Sequence, residues 1–170
     1  MTEGRGTTPP RAGDPVPAFA GATDSGLTIT NSDLLGRPTV LFFYPKAGSP
    51  GCSLESREFA RHHAEFEAAG VRVVGVSVDP AESQRRFREE CELPFDLIAD
   101  VGREISSRFG VLGALGMARR TTFLLGPDGR ILDVIHSWRP GRHADFALDR
   151  LVRKSRPDAA SSPSSGTPPP

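Results

Sequence analysis

The continuous apolar run TVLFFYP over residues 39–45 and the largely apolar VRVVGVSVD over residues 71–79 limit what this chain can fold into. A strand that is wet on one face alternates polar and apolar residues. A continuous run belongs to a strand buried on both faces, and that requires a sheet covered by helices. The stretch between the runs supplies one such helix: Ser53 to Ala69 carries Phe59 and Phe66 at helical spacing and stops at Gly70. Strand, helix and strand in this order form a crossover unit.

The remaining segments extend the pattern. GLTIT (26–30) reads as a short strand. Pro80 to Glu92 reads as a helix, with Asp79 as its N-cap and Pro80 at its first position. FDLIAD (95–100) is a short strand and GREISSRFG (102–110) a short helix. TTFLLGPDGRILDVI (121–135) is a hairpin turning at Pro127-Asp128-Gly129, and RHADFALDRLVRK (142–154) closes as an amphipathic helix. A βαβ opening with a ββα ending predicts an α/β, thioredoxin-like fold: a mixed β-sheet flanked by helices on both faces. Phe109 and Trp138 are expected as core or loop anchors, and His62 and His63 as packing or surface residues.

Both ends of the chain lack apolar periodicity. Residues 1–13 and the Pro/Ser-rich residues 155–170 are expected to be disordered around one domain spanning 14–154. Lys+Arg and Asp+Glu are both 21, which argues against a nucleic-acid partner or an anionic membrane. No apolar stretch approaches a membrane span and the N-terminus has no signal-peptide core, so the expected location is cytoplasmic. The only cysteines are Cys52 and Cys91. In a reducing compartment such a pair is not a disulfide scaffold, which leaves catalytic or incidental roles. No C-x-x-C or H-x-x-x-H pair and no Gly-rich phosphate loop is present, so neither a metal nor a cofactor is expected.

Cys52 lies in PKAGSPGCSLES, just past the carboxyl end of the first buried strand and at the start of the following helix. Chemistry in open α/β sheets collects at that end. Backbone N–H groups of a first helical turn have no intrahelical partner, and the helix dipole adds positive potential; both favour a thiolate. Pro50 and Gly51 allow a tight turn against the sulfur, Ser49 brings a hydroxyl, and Pro45 can shape one wall.

The pattern Pro45-x-x-x-Ser49-x-x-Cys52 resembles the P-x-x-x-[TS]-x-x-C signature of peroxiredoxins. FFYPKAGSPGCSLES, GVSVDPAES, LPFDLIAD and ARRTTFLLGPDGRI, in that order, resemble the PrxQ or bacterioferritin-comigratory branch over about residues 14–152. The resemblance implies a thiol-dependent peroxidase that reduces hydrogen peroxide and small organic hydroperoxides through a cysteine sulfenic acid. It implies Cys52 as the peroxidatic cysteine, with Ser49 holding the peroxide oxygens and Arg120 stabilising thiolate and leaving oxygen. It matches Glu55 to a family glutamate that orders the site's arginine, or that is only a first-turn helix charge. Arg119 is the weaker candidate, because adjacent residues on a strand point to opposite faces.

The resemblance also implies a peroxide substrate and an external reductant such as thioredoxin or a low-molecular-weight thiol, with the chain a monomer or weak homodimer. Many relatives carry a second cysteine five residues after the first; here that residue is Arg57. Cys91 lies in the next helix, about one turn later than other relatives place a resolving thiol, and four residues from Phe87. Two cycles stay open: a Cys52–Cys91 disulfide, or a one-cysteine cycle with Cys91 in the core. The second is the one adopted. A thioredoxin-like disulfide oxidoreductase and a redox sensor that never turns over are the competing functions; the missing C-x-x-C counts against the first of these.

Overall fold

The computed structural model describes residues 8–153. Apart from residues 8–13, the segments expected to be disordered lie outside the described residues. Within 8–13 the chain is tied to the domain at its last residue: Gly13 donates to the Ile131 carbonyl at 2.8 Å and its own carbonyl accepts from Arg130 at 2.9 Å.

Strands β1 (Ala20–Ala22) and β2 (Thr28–Thr30) form a small antiparallel hairpin. Strand β3 (Thr39–Phe43) leads into helix α1 (Pro50–Arg61) and helix α2 (His63–Ala68). Then come β4 (Arg72–Ser77), α3 (Ala81–Cys91), β5 (Asp96–Ala99) and α4 (Glu104–Arg108). The hairpin β6 (Thr121–Leu125) and β7 (Ile131–His136) precedes α5 (Gly141–Ala147), which continues as a π-helical stretch over Leu148–Arg153.

The five long strands form one sheet in the order β5-β4-β3-β6-β7. β3, β4 and β5 run parallel, and β6 and β7 are antiparallel. The pleat divides β3 between two cores. Val40 and Phe42, with Tyr44 beyond the strand, face Phe59, Phe66, Phe87 and Leu148 from α1, α2, α3 and the C-terminal helix. Leu41 and Phe43 face Ile105, Phe109 and Ile29 on the other side. Every residue of β3 is buried, as its uninterrupted apolar run requires.

Several local expectations are corrected. The first long helix begins at Pro50 rather than Ser53 and breaks at His62, whose φ of −100° and ψ of 9° fall outside the helical region. Pro80, not Asp79, caps α3. The Asp79 carboxylate instead accepts from Ala47 N–H at 2.7 Å and from Ser77 Oγ at 2.6 Å, which ties the loop before α1 to the end of β4. GLTIT forms a strand only from Thr28, because Gly26 at φ +89° turns the chain back toward β1. Trp138 is not a core anchor: it is 79% exposed.

Candidate active site

The register of the sheet assembles the site. Phe43 pairs with Thr121 and Phe42 with Thr122 in the antiparallel β3–β6 ladder. Arg120, one residue before β6, is thereby placed at the carboxyl end of β3. The same end opens into α1, where Ser49 is the N-cap, Pro50 the first helical residue and Cys52 the third. Cys52 therefore sits in the first turn, with its sulfur at 0% exposure.

Arg120 is the hub. Its Nη2 donates to Cys52 Sγ at 3.5 Å and its Nη1 to Glu55 Oε1 at 2.7 Å. Cys52 and Glu55 are three residues apart on α1 and so lie on one face. Gly51 makes the approach possible: a Cβ there would stand 3.1 Å from Arg120 Nη2 and 3.6 Å from Pro140. Arg119 points away and donates to the Gly110 carbonyl at 2.8 Å. Of the two arginines, only Arg120 reaches the sulfur.

Other residues singled out from the sequence are placed less centrally. The Ser49 hydroxyl donates to the Lys46 carbonyl at 3.0 Å rather than to the helix or the sulfur. Pro45 is half-buried and lines a mainly apolar cleft of about 660 Å³, with Met117, Arg119, Arg120, His136 and Trp138 on its other walls. Cys52 is not part of that lining, so Arg120 is the side chain shared by the cleft and the sulfur. Cys91 is the last residue of α3, buried in the same core as Cys52, Tyr44 and Phe87. Both thiols are free.

Two further buried groups adjoin the sulfur and Arg120, and of their residues Gln84 and His143 carried no expectation from the sequence. Tyr44 donates its hydroxyl to Gln84, and Gln84 donates in turn to the Ile98 carbonyl at 2.9 Å. Burial pushes the Tyr44 phenol well above the usual tyrosine range, so it faces Cys52 as a neutral group. His143 on α5 lies wholly buried behind Arg120, with its Nδ1 3.5 Å from Glu55 Oε2. One signal was present in the sequence: His143 shares the apolar face of the last helix with Ala144, Ala147 and Leu148.

Electrostatically the site holds one strong cation among buried acids. Desolvation raises Glu55 to about 8, against the opposing pull of Arg120. Desolvation lowers His143 to about 4, with the Arg120 and His136 charges acting in the same direction. A thiol three positions into a helix, faced by a guanidinium and a neutral phenol, is equipped to attack an electrophile and to stabilise the anion expelled.

A family profile described as the AhpC/TSA family matches residues 12–134. The chain is 32% identical over 150 residues to Peroxiredoxin Bcp of Escherichia coli strain K12, covering 84% of this chain and 96% of that protein. It is 32% identical over 142 residues to chloroplastic Peroxiredoxin Q of Sedum lineare, covering 82% of this chain and 76% of that protein. Among solved structures, Peroxidoxin BcpB from Mycobacterium tuberculosis superposes with a TM-score of 0.80 at 37% identity, over 86% of this chain and 99% of that one.

Proposed function

The chain belongs to the AhpC/TSA family and is a thiol-dependent peroxidase of the peroxiredoxin kind, and we propose that Cys52 is the sulfur that takes the peroxide oxygen. The observation that carries this assignment is the 3.5 Å approach of Arg120 Nη2 to Cys52 Sγ in the first turn of α1.

The thiolate attacks the terminal peroxide oxygen. The S–O bond forms as the O–O bond breaks, and the expelled hydroxide or alkoxide takes up a proton to leave as water or alcohol. Cys52 is left as a sulfenic acid. Arg120 is already aligned by Glu55, so it holds the reacting oxygens without reorganising. Pro45 and the apolar cleft carry the organic part of the peroxide. Ser49 supplies a second donor once its hydroxyl turns from the Lys46 carbonyl.

The sulfenic acid is returned to thiol by an external reductant. A first thiol condenses with it, releasing water and leaving a mixed disulfide. A second thiol then displaces Cys52 and carries away the disulfide. A one-cysteine cycle is supported by the way α3 is anchored. Arg88, one turn before Cys91, binds both carboxylate oxygens of Asp24 at 3.2 and 3.3 Å and Asp96 at 3.1 Å, and its Nε donates to the Leu93 carbonyl at 3.2 Å. Cys91 also lies two turns beyond Gln84, about 10 Å along the helix axis. A bridge to Cys52 would have to unwind α1 or pull the end of α3 off these partners. Two buried free thiols fit a reducing, cytoplasmic setting, and thioredoxin or a small thiol is the reductant class in this reading, with the chain acting as a monomer or weak homodimer.

The test is peroxide consumption with thioredoxin-type and small-thiol reductants offered separately, alongside intact mass of the oxidised protein. Peroxide consumed with a sulfenic acid on Cys52 supports the assignment; consumption by Cys52→Ser at the parent rate sinks it.

A further inference from the structure

Behind Arg120 lies a buried cluster that the peroxide step above does not use. Glu55 is at 0% exposure; its Oε1 accepts from Arg120 and its Oε2 has no hydrogen-bond partner. Oε2 faces His143 Nδ1 at 3.5 Å, a close contact that is too long for a hydrogen bond. His143 is also at 0% exposure. Its Nε2 lies 2.8 Å from the Ser137 carbonyl, and a carbonyl only accepts, so Nε2 carries the ring proton. Nδ1 is then the accepting nitrogen of a neutral ring, and Thr122 Oγ1, 2.8 Å away, donates to it. The charged and titratable groups facing this pair are Arg120 ahead of β6, His136 on β7 and Cys52 on α1.

Charge counting fixes how many protons the cluster holds. Arg120 is its one permanent charge, and a Cys52 thiolate balances it. A second anion at Glu55, with His143 neutral, would leave net negative charge in a buried space, which burial strongly opposes. We propose that His143 is a positioning residue for the peroxidase reaction: with Glu55 it holds one proton behind Arg120, so that the guanidinium keeps its full charge for Cys52 and the incoming peroxide. This rests on Cys52 being the reacting sulfur. The electrostatics run the same way, since burial raises Glu55 to about 8 and lowers His143 to about 4, which leaves the carboxyl as the proton carrier at neutral pH. When that proton leaves, the Glu55 carboxylate competes with Cys52 for the charge of Arg120.

The test follows the rate of the full chain with hydrogen peroxide from about pH 5 to about pH 10 in the parent and in His143→Gln. Glutamine reaches the Ser137 carbonyl as Nε2 does, but offers an amide donor toward Glu55 and so favours its ionised form. In the parent the rate is expected to fall above about pH 8, where Glu55 loses its proton. In His143→Gln the fall should begin roughly one pH unit lower and the rate near neutrality should drop by about threefold or more. A side chain that only packs would lower the melting temperature and leave the pH profile where it was; that outcome overturns the proposal.

Because a buried substitution can unfold the chain, a second measurement uses the unaltered protein. Nitrogen-15 and carboxyl carbon-13 titrations should show His143 neutral with its ring proton on Nε2, and the Glu55 carboxyl protonated up to about pH 8. Glu55 ionised beside a neutral His143 at neutral pH overturns the proposal. Cys52→Ser separates the two layers. If that variant keeps peroxidase activity, the sulfur assignment has failed. If it is inactive while either His143 readout goes against expectation, only the present proposal has failed.

Discussion

Arg120 divides its guanidinium between Cys52 Sγ, 3.5 Å from Nη2, and Glu55 Oε1, 2.7 Å from Nη1. Arg119, its neighbour in sequence, is spent on the Gly110 carbonyl. Arg120→Ala should slow the reaction with hydrogen peroxide by about 10²-fold, the scale of losing one preorganised donor. Arg119→Ala should stay within about twofold of the parent, as surface changes do. Rapid-mixing kinetics of the first oxidation checks both, and a reversed order would exchange the roles of the two arginines.

Gly51 offers a finer probe. Its backbone φ is not left-handed, so alanine is sterically allowed and raises helix propensity. Its new methyl would stand 3.1 Å from Arg120 Nη2. Gly51→Ala is therefore expected to keep or slightly raise the melting temperature while slowing peroxide reduction by about tenfold, through a displaced donor. An unchanged rate would show that Arg120 yields at no cost to the chemistry.

The buried acid and base make stability depend on pH in opposite senses. Glu55 is raised from 4.5 to about 8, so between these values the folded chain holds a proton the unfolded chain has released, and stability falls as pH rises. His143 is lowered from 6.5 to about 4, so its contribution is complete above 6.5 and is lost as pH falls toward 4. Between about 4.5 and about 6.5 the two offset each other. From about 6.5 to about 8 Glu55 acts alone, and unfolding free energy should decline by roughly 1 kcal/mol per pH unit. Urea titrations at stepped pH check this, and Glu55→Gln should remove the decline.

For Cys91 the expected outcome concerns the oxidised protein. One equivalent of peroxide should add about 16 mass units, a sulfenic acid, rather than remove about 2 for an internal disulfide. Cys91→Ser should turn over at the parent rate with a small-thiol reductant and lose about 1 kcal/mol of stability from altered packing. A Cys52–Cys91 bridge in the mass spectrum would replace the one-cysteine cycle with an intramolecular one.

Much of this architecture is legible in the sequence because its strongest signals are local. Burial of β3 and most of β4 on both faces leaves largely apolar runs, and the motif around Cys52 holds the sulfur, Pro45 and Ser49 within eight residues. What escapes depends on partners far along the chain. β1 is Ala-Gly-Ala, with no β-branched residue to mark it; Gly21 is needed because a Cβ would meet Ile98 at 2.5 Å and Ile105 at 2.7 Å. Asp79 has the right type and position for a cap, yet its carboxylate is taken by Ala47 and Ser77. His143 looks like a packing residue until α5 is laid against α1, where Glu55 faces it.

The exposed Trp138 has an optical consequence. It is the only tryptophan of the chain, it stands 79% exposed on the wall of the cleft, and the Arg139 guanidinium lies 5.5 Å from its ring centre. All indole emission therefore originates at the mouth of the site, with a cation beside the ring and solvent over most of its surface. A hydrocarbon chain entering the cleft would dry that surface and shift the emission to the blue, whereas hydrogen peroxide would leave its colour unchanged. The protein thus carries its own fluorophore for telling bulky substrates from small ones, with no label to attach.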